Sequence, residues 1–275
     1  MCSALEFMLD LLQYSFFSNA LLIGILSGIT CGIIGSFVVI KKISFISGSI
    51  AHASFGGIGL AYFLGFSPVL GAVFFSFLSA LSIGFINKSN KRQEDSSIGA
   101  IWAIGMAIGL VFIHFTHGYV ADLMTYLFGN ILLSTTQDLW YILFLNLFII
   151  ASVVYLYKWL VAFIFDEEFA IVTNVPVFPL YLFFLILVAL SVVVLIRTVG
   201  VILVIALLTL PASSAQLLSK NFKHIIGWAI FLAVFENLSG VILSYYLNLP
   251  SGPVIILLAA VVYLFVLLTT HFKNK

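Results

Sequence analysis

FFSNALLIGILSGITCGIIGSFVVI, from Phe16 to Ile40, contains no Asp, Glu, Lys, Arg or His. A helix needs about 20 mostly apolar residues to cross about 30 Å of hydrocarbon, and this run meets that length alone. Outward from it, similar runs recur at roughly 49–66, 68–87, 98–115, 139–157, 179–196, 199–218, 225–246 and 253–270. The chain of 275 residues is 63% hydrophobic and 8% charged. Soluble domains run near about 45–50% apolar and about 25% charged, so a water-soluble fold could not cover its surface with so few charges. The reading is all-α: a polytopic transmembrane helix bundle of about eight or nine spans, one membrane domain over residues 1–275. Glu6 and Asp10 make the first residues acidic, without the basic region of a cleaved leader, so the first run reads as a permanent span.

Three polar breaks read as inner loops: Asn87–Ser97, Lys158–Thr173 and Lys220–His224. With Lys41 and Lys42 in the cytoplasm and nine crossings, Lys88, Lys91, Arg92, Lys158, Lys220, Lys223, Lys273 and Lys275 also fall inside, and Arg197 alone falls outside. Arg197, Thr198 and Gly200 mark a possible bent hairpin within 179–218. Gly24, Gly28 and Gly32 lie four apart on one face of the first span, with Gly35 following. Gly56, Gly57 and Gly59 crowd the second, and Gly105, Ala107 and Gly109 thin the fourth. Small faces let membrane helices approach closely.

The net charge of +1 points to neither nucleic acid nor an acidic substrate. Cys2 and Cys31 have no metal-ligand spacing and predict no structural disulfide. Gly35 to Lys41 lacks the second Gly and the Ser/Thr of a phosphate loop, and there is no HExxH and no Cys/His cluster. What remains is the polar residues inside spans, where an ionisable group is costly. His52, in IAHASFGG, is either an imidazole facing a translocation path or a histidine bonded to a neighbouring helix. Glu236, beside Asn237, is either a pathway carboxylate or an interhelical hydrogen-bonding group. His114 and His117, with Asp122 beyond, lie at the outer end of the fourth span and read first as interfacial residues. Asp166, Glu167 and Glu168 form an inner acidic cluster, either a solvated loop or a partner contact. Pro211 predicts that a helix ends or kinks at Leu210, with a short helix starting at Pro211.

Six segments in order carry a resemblance: GSFVVIKKISFISGSIAHA (Gly35–Ala53), EDSSIGAIWAIGMAIG (Glu94–Gly109), DLMTYLFGNIL (Asp122–Leu132), FDEEFA (Phe165–Ala170), VGVILVIALLTLPASSA (Val199–Ala215) and LSYYLNLPSGP (Leu243–Pro253). Together they resemble the membrane permease subunits of bacterial ABC importers for zinc and manganese, the ABC-3 family. The resemblance implies a type II importer-like permease in the bacterial cytoplasmic membrane. It implies a homodimeric or heterodimeric pair of permease subunits, the homodimer being the reading preferred here, with a path at their interface. It also implies two cytoplasmic ATP-binding subunits and an extracytoplasmic metal-binding protein. ATP is then hydrolysed in the partner, this chain is no enzyme, no cofactor is resident, and Zn²⁺ or Mn²⁺ is cargo. Pro211, Ala212, Ser213, Ser214 and Ala215 match the family segment that docks on the ATPase. The family's Asp, four residues before the His of the second span, is Gly48 here. Residues four apart share a helix face. Losing the carboxylate leaves a nitrogen donor, which favours zinc over manganese. Glu236 is expected to supply the missing negative charge, giving His52 and Glu236 as the metal residues.

The function read from this is inward transport of Zn²⁺, then Mn²⁺ or Fe²⁺, by alternating access. An importer of a metal chelate or small cofactor has a closely related fold. A stand-alone secondary carrier would need its own coupling carboxylates, of which Glu236 is one candidate. An intramembrane enzyme would need a nucleophile–base or two-histidine constellation, and no suitable spacing is present.

Overall fold

The structure is a computed structural model that describes residues 13–89, 94–116, 127–201 and 204–273. Cys2, Lys91, Arg92, His117, Asp122 and Lys275 lie outside the described residues. The described backbone is helical: α1 Ser15–Lys41, α2 Ser44–Leu64, α3 Pro68–Ser89, α4 Glu94–Phe115, a 3-10 turn Ile131–Leu133, α5 Thr136–Phe165, a short α6 Glu167–Val172, α7 Val177–Val199, α8 Val204–Leu218, α9 Phe222–Leu247 and α10 Ser251–Lys273.

Seven of these helices are long and apolar enough to cross a membrane: α1, α3, α4, α5, α7, α9 and α10. Helix α2 is 21 residues long yet less apolar, because it is not lipid-facing. Every residue from Ile46 to Gly59 is buried, so serine, glycine and histidine stand where lipid contact would demand Leu or Ile. Helix α8, at 15 residues, is the shorter one. It follows a break at Gly200, whose φ of 80° is a left-handed conformation open to glycine at little cost.

The bundle is organised by close helix pairs. In α1, a Cβ on Gly28 would meet the Val234 backbone at 2.8 Å, and one on Gly32 would strike the Ile230 backbone. Gly24 lies against Asn237 and Leu238, so α1 and α9 run antiparallel over this seam. Gly35, one turn on, faces Leu208 of α8 instead. In α2, Gly56 packs on Gly105 of α4, Gly57 on Gly71 of α3, and Gly59 on Gly109 of α4. The small-residue faces read from sequence are therefore the packing faces, apart from Ala107, which is exposed. Helix α7 lies between the two groups, against α1, α2, α3 and α5.

Three local expectations are corrected. Lys158 is not in a loop. It lies on α5, whose 30 residues span about 45 Å, so its last turns outrun the hydrocarbon and an exposed lysine there reaches water. The 199–218 run is not one span, since α7 continues through Val199 and α8 begins at Val204. No helix starts at Pro211, because α8 passes through it. One missing backbone hydrogen bond inside a packed membrane helix is tolerated when neighbouring helices surround it, and Pro211 is buried.

Polar ties fix the register. Thr30 Oγ1 donates to Asn146 Oδ1 at 2.6 Å, joining α1 to α5. Asn237 Nδ2 donates to the Gly24 carbonyl at 3.0 Å, joining α9 to α1. Helix α5 opens on a capping box: Thr135 Oγ1 accepts from Asp138 N, and Asp138 Oδ2 accepts from Thr135 N.

Candidate metal-translocation site

His52 sits two turns into α2 and is 7% exposed. Its ring stacks on Trp102 of α4, with centroids 4.2 Å apart and planes 12° from parallel. Its Nδ1 is 3.4 Å from Met106 Sδ, one turn further along α4. With the proton on Nδ1, donated toward that sulfur, Nε2 keeps its lone pair as a metal ligand. Ser49 Oγ donates to the Ile98 carbonyl at 2.8 Å, fixing α2 against α4 one turn before the histidine. Trp102, Met106 and Ile98 were not singled out by sequence reasoning. The signal was there in EDSSIGAIWAIGMAIG, where Trp102 and Met106 are four apart and share a helix face.

Gly48 is enclosed. A Cβ there would collide with Ile205 Cδ1 of α8, stand 2.6 Å from Ile205 Cγ1 and stand 3.5 Å from Trp102 Cζ3. The space a side chain would take one turn before His52 is thus filled by Ile205. Among the described residues the donors recorded at His52 are its imidazole nitrogen and the Met106 thioether sulfur.

Glu236 lies elsewhere. It is 0% exposed on α9, and neither carboxyl oxygen has a hydrogen-bond partner among the described residues. Helix α9 packs on α1, α8 and α10, whereas His52 makes its ring and sulfur contacts to α4. Among the described residues no three of His, Cys, Asp and Glu cluster as a metal site. Cys31 is a buried free thiol on α1.

The other sequence candidates separate. His114 is exposed at the end of α4. In the acidic cluster, Asp166 Oδ1 caps α6 by accepting from Phe169 N at 2.8 Å, Glu167 pairs with Lys41 at 3.3 Å, and Glu168 is exposed. Pro211, Ala212, Ser214 and Ala215 are buried and Ser213 is half-buried. Ala212 and Ala215 pack with Ile225 and Ala229 of α9 against Val39 and Ile40 of α1. The surface of this region begins at Gln216, Leu217 and Leu218, which are exposed.

The ABC 3 transport family model matches residues 13–270. An uncharacterized membrane protein of Synechocystis is 43% identical, covering 94% of this chain and 92% of its own. A probable metal transport system membrane protein of Chlamydia trachomatis is 40% identical, covering 90% and 87%. The manganese transport system membrane protein MntC of Halalkalibacterium halodurans is 34% identical, covering 95% and 90%. Among solved structures, PsaBC from Streptococcus pneumoniae in complex with Fab superposes with a TM-score of 0.86 at 29% identity, covering 95% of each chain. An inward-facing putative metal-chelate type ABC transporter superposes at 0.75 with 17% identity, a likeness of fold.

Proposed function

The chain belongs to the ABC 3 transport family, and on that footing we propose that it is the membrane-spanning permease subunit of an importer that carries a divalent transition metal ion into the cytoplasm by alternating access. A second copy of the chain, a cytoplasmic ATP-binding subunit and an extracytoplasmic metal-binding protein complete the machine. ATP is hydrolysed in the partner, and this chain supplies the path. The observation that carries the reading is His52, the one buried histidine among the described residues, placed in the helix most fully enclosed by the bundle.

The donor set selects the cargo. Imidazole nitrogen with a neighbouring thioether suits zinc better than manganese, which prefers carboxylate and water oxygens. Manganese is the second reading, because relatives similar over most of the chain carry that name. One protein nitrogen per chain binds weakly, as a conducting site must so that the ion can leave. Glu236 contributes from a separate position on α9, as a membrane-embedded polar group on the path rather than a ligand beside His52. On α8, Pro211, Ala212, Ser213, Ser214 and Ala215 form the packed base of the ATPase contact, and Gln216, Leu217 and Leu218 present its surface.

The test is total cellular metal, by mass spectrometry, in cells lacking the gene and grown metal-limited. Zinc falls in the deletion, returns with the wild-type gene, and does not return with well-expressed His52→Ala. Movement of manganese instead selects the second reading. No change in any metal, with other uptake systems removed, ends the metal-importer reading.

A further inference from the structure

At the end of the bundle that carries Lys41 and Lys88, a cavity of about 460 Å³ opens between α1, α2, α3 and α7. Its polar lining is Lys41, Lys42, Asn87, Lys88, Glu167 and Tyr181. Lys41 pairs with Glu167 at 3.3 Å and donates to the Phe163 carbonyl at 3.1 Å. Neither Lys42 nor Lys88 is in an ion pair among the described residues. Among the described residues the cavity therefore carries an excess of positive charge.

The lysines are positioned by the walls. Lys41 Nζ lies 4.0 Å from the Phe163 ring centroid, and Lys88 Nζ lies 4.4 Å from that of Phe178. Such contacts hold an ammonium over an aromatic face and restrict its stem. Lys42 caps α1 in a left-handed conformation, φ 63°, with its backbone N–H donated to the carbonyls of Val38 and Val39. The first turns of α2 and α7 also line the cavity, neither has a side-chain cap, and neither carries an acidic residue. Their positive dipole ends add to the lysine field.

An excess of lysine disfavours a divalent cation at this position. Its volume suits a small anionic group. The rest of the lining is apolar, including Ile43, Phe45 and Phe178, and Phe45 is 73% exposed. Phe85, one turn before the cavity's Lys88, is exposed on α3 and contacts Phe178 with ring centroids 5.7 Å apart. A free inorganic anion has no use for such walls, whereas an acyl chain does. Basic pockets between transmembrane helices on the cytoplasmic side suit anionic headgroups.

We infer that this cavity binds the phosphate ester of an anionic phospholipid of the cytoplasmic leaflet, held by Lys42, Lys88 and Lys41 with the acyl chains along α2 and α3. The lipid acts as a fixed counter-charge that joins the ends of four helices.

The purified full chain is titrated in detergent with phosphatidylglycerol, phosphatidylcholine or inorganic phosphate, and the adducts are counted by native mass spectrometry. Phosphatidylglycerol is expected to bind and phosphatidylcholine is not. Each basic residue is worth about fivefold, so Lys42→Gln with Lys88→Gln weakens phosphatidylglycerol roughly 25-fold. Lys42→Arg with Lys88→Arg keeps the affinity, and Lys220→Gln with Lys223→Gln, exposed lysines outside the cavity, leaves it unchanged. If the Gln pair misfolds, Lys42→Gln alone shows the fivefold loss. Equal binding of phosphatidylcholine, or unchanged affinity in the Gln variants, overturns the inference. Inorganic phosphate binding as tightly as the lipid overturns the lipid source and assigns the cavity to the free anion.

Discussion

Gly48 is where the packing and the chemistry of the candidate site meet, and substituting it separates them. A methyl group at this position would stand 2.6 Å from Ile205 Cγ1, about 1 Å inside ordinary carbon contact. Gly48→Ala must therefore displace Ile205 or part α2 from α8, an overpacking cost of about 1–3 kcal/mol. At about 2–4 °C per kcal/mol for a chain of this size, the unfolding midpoint falls by roughly 2–12 °C. Gly48→Asp adds an unpaired carboxylate within the bundle, about 2.5–3.5 kcal/mol more on membrane insertion scales. Ile205→Ala empties the space, so the pair Gly48→Ala and Ile205→Ala loses less than the sum of its parts, with a coupling of about 1–3 kcal/mol. The assay is heat-induced unfolding followed by fluorescence-detected size exclusion for the four members of each cycle. In the Ile205→Ala background, Gly48→Asp places an oxygen donor one turn before His52, and cellular manganese accumulation rises relative to zinc. If Gly48→Ala unfolds at the wild-type temperature, Ile205 does not fill that space and the argument is refuted.

Gly32→Val has no flexible side chain to push aside, because the obstacle is the Ile230 backbone. The α1–α9 seam must open at a cost of about 3 kcal/mol or more, read as loss of the monodisperse peak on size exclusion. Glu236→Leu replaces a buried carboxyl group without partners by an apolar group of similar size, so it raises the unfolding midpoint. Glu236→Gln lowers metal accumulation at normal protein level, and unchanged accumulation removes Glu236 from the path.

Most of the bundle was legible because lipid imposes one rule on every exposed face. The seven runs that meet lipid carry it plainly, from α1 to α10. The rule fails where helices stop meeting lipid. Helix α2 is enclosed, and its character lies in small residues at close approach, so glycine spacing reported what hydropathy understated. Helix α8 is apolar but short, and nothing local in VILVIALLTLPASSA says that it begins four residues after a positive-φ glycine. Pro211 was read from backbone preference alone, and tertiary packing outweighs that preference.

The candidate site was legible in part for a related reason. A histidine inside an apolar run stands out because it is expensive there, and His52 was found on that ground alone. Its neighbours do not stand out: Trp102, Met106 and Ile205 belong to an apolar helix whether or not they touch an imidazole. Pairing His52 with Glu236 rests on both being rare polar groups inside spans. Scarcity says only that each residue has a reason to be there. Glu236 is buried on α9, a helix that packs on α1, α8 and α10, whereas His52 stacks on Trp102 of α4. The enclosed Gly48 changes what its own residue type implies. Read as a sequence, it is a missing ligand. In the fold it is a void filled by Ile205, so the carboxylate has been replaced by packing. Among the described residues, the donors a metal would meet here are nitrogen and sulfur, with water to complete its shell. That restriction makes the zinc-to-manganese ratio, rather than total uptake, the sensitive readout of this site.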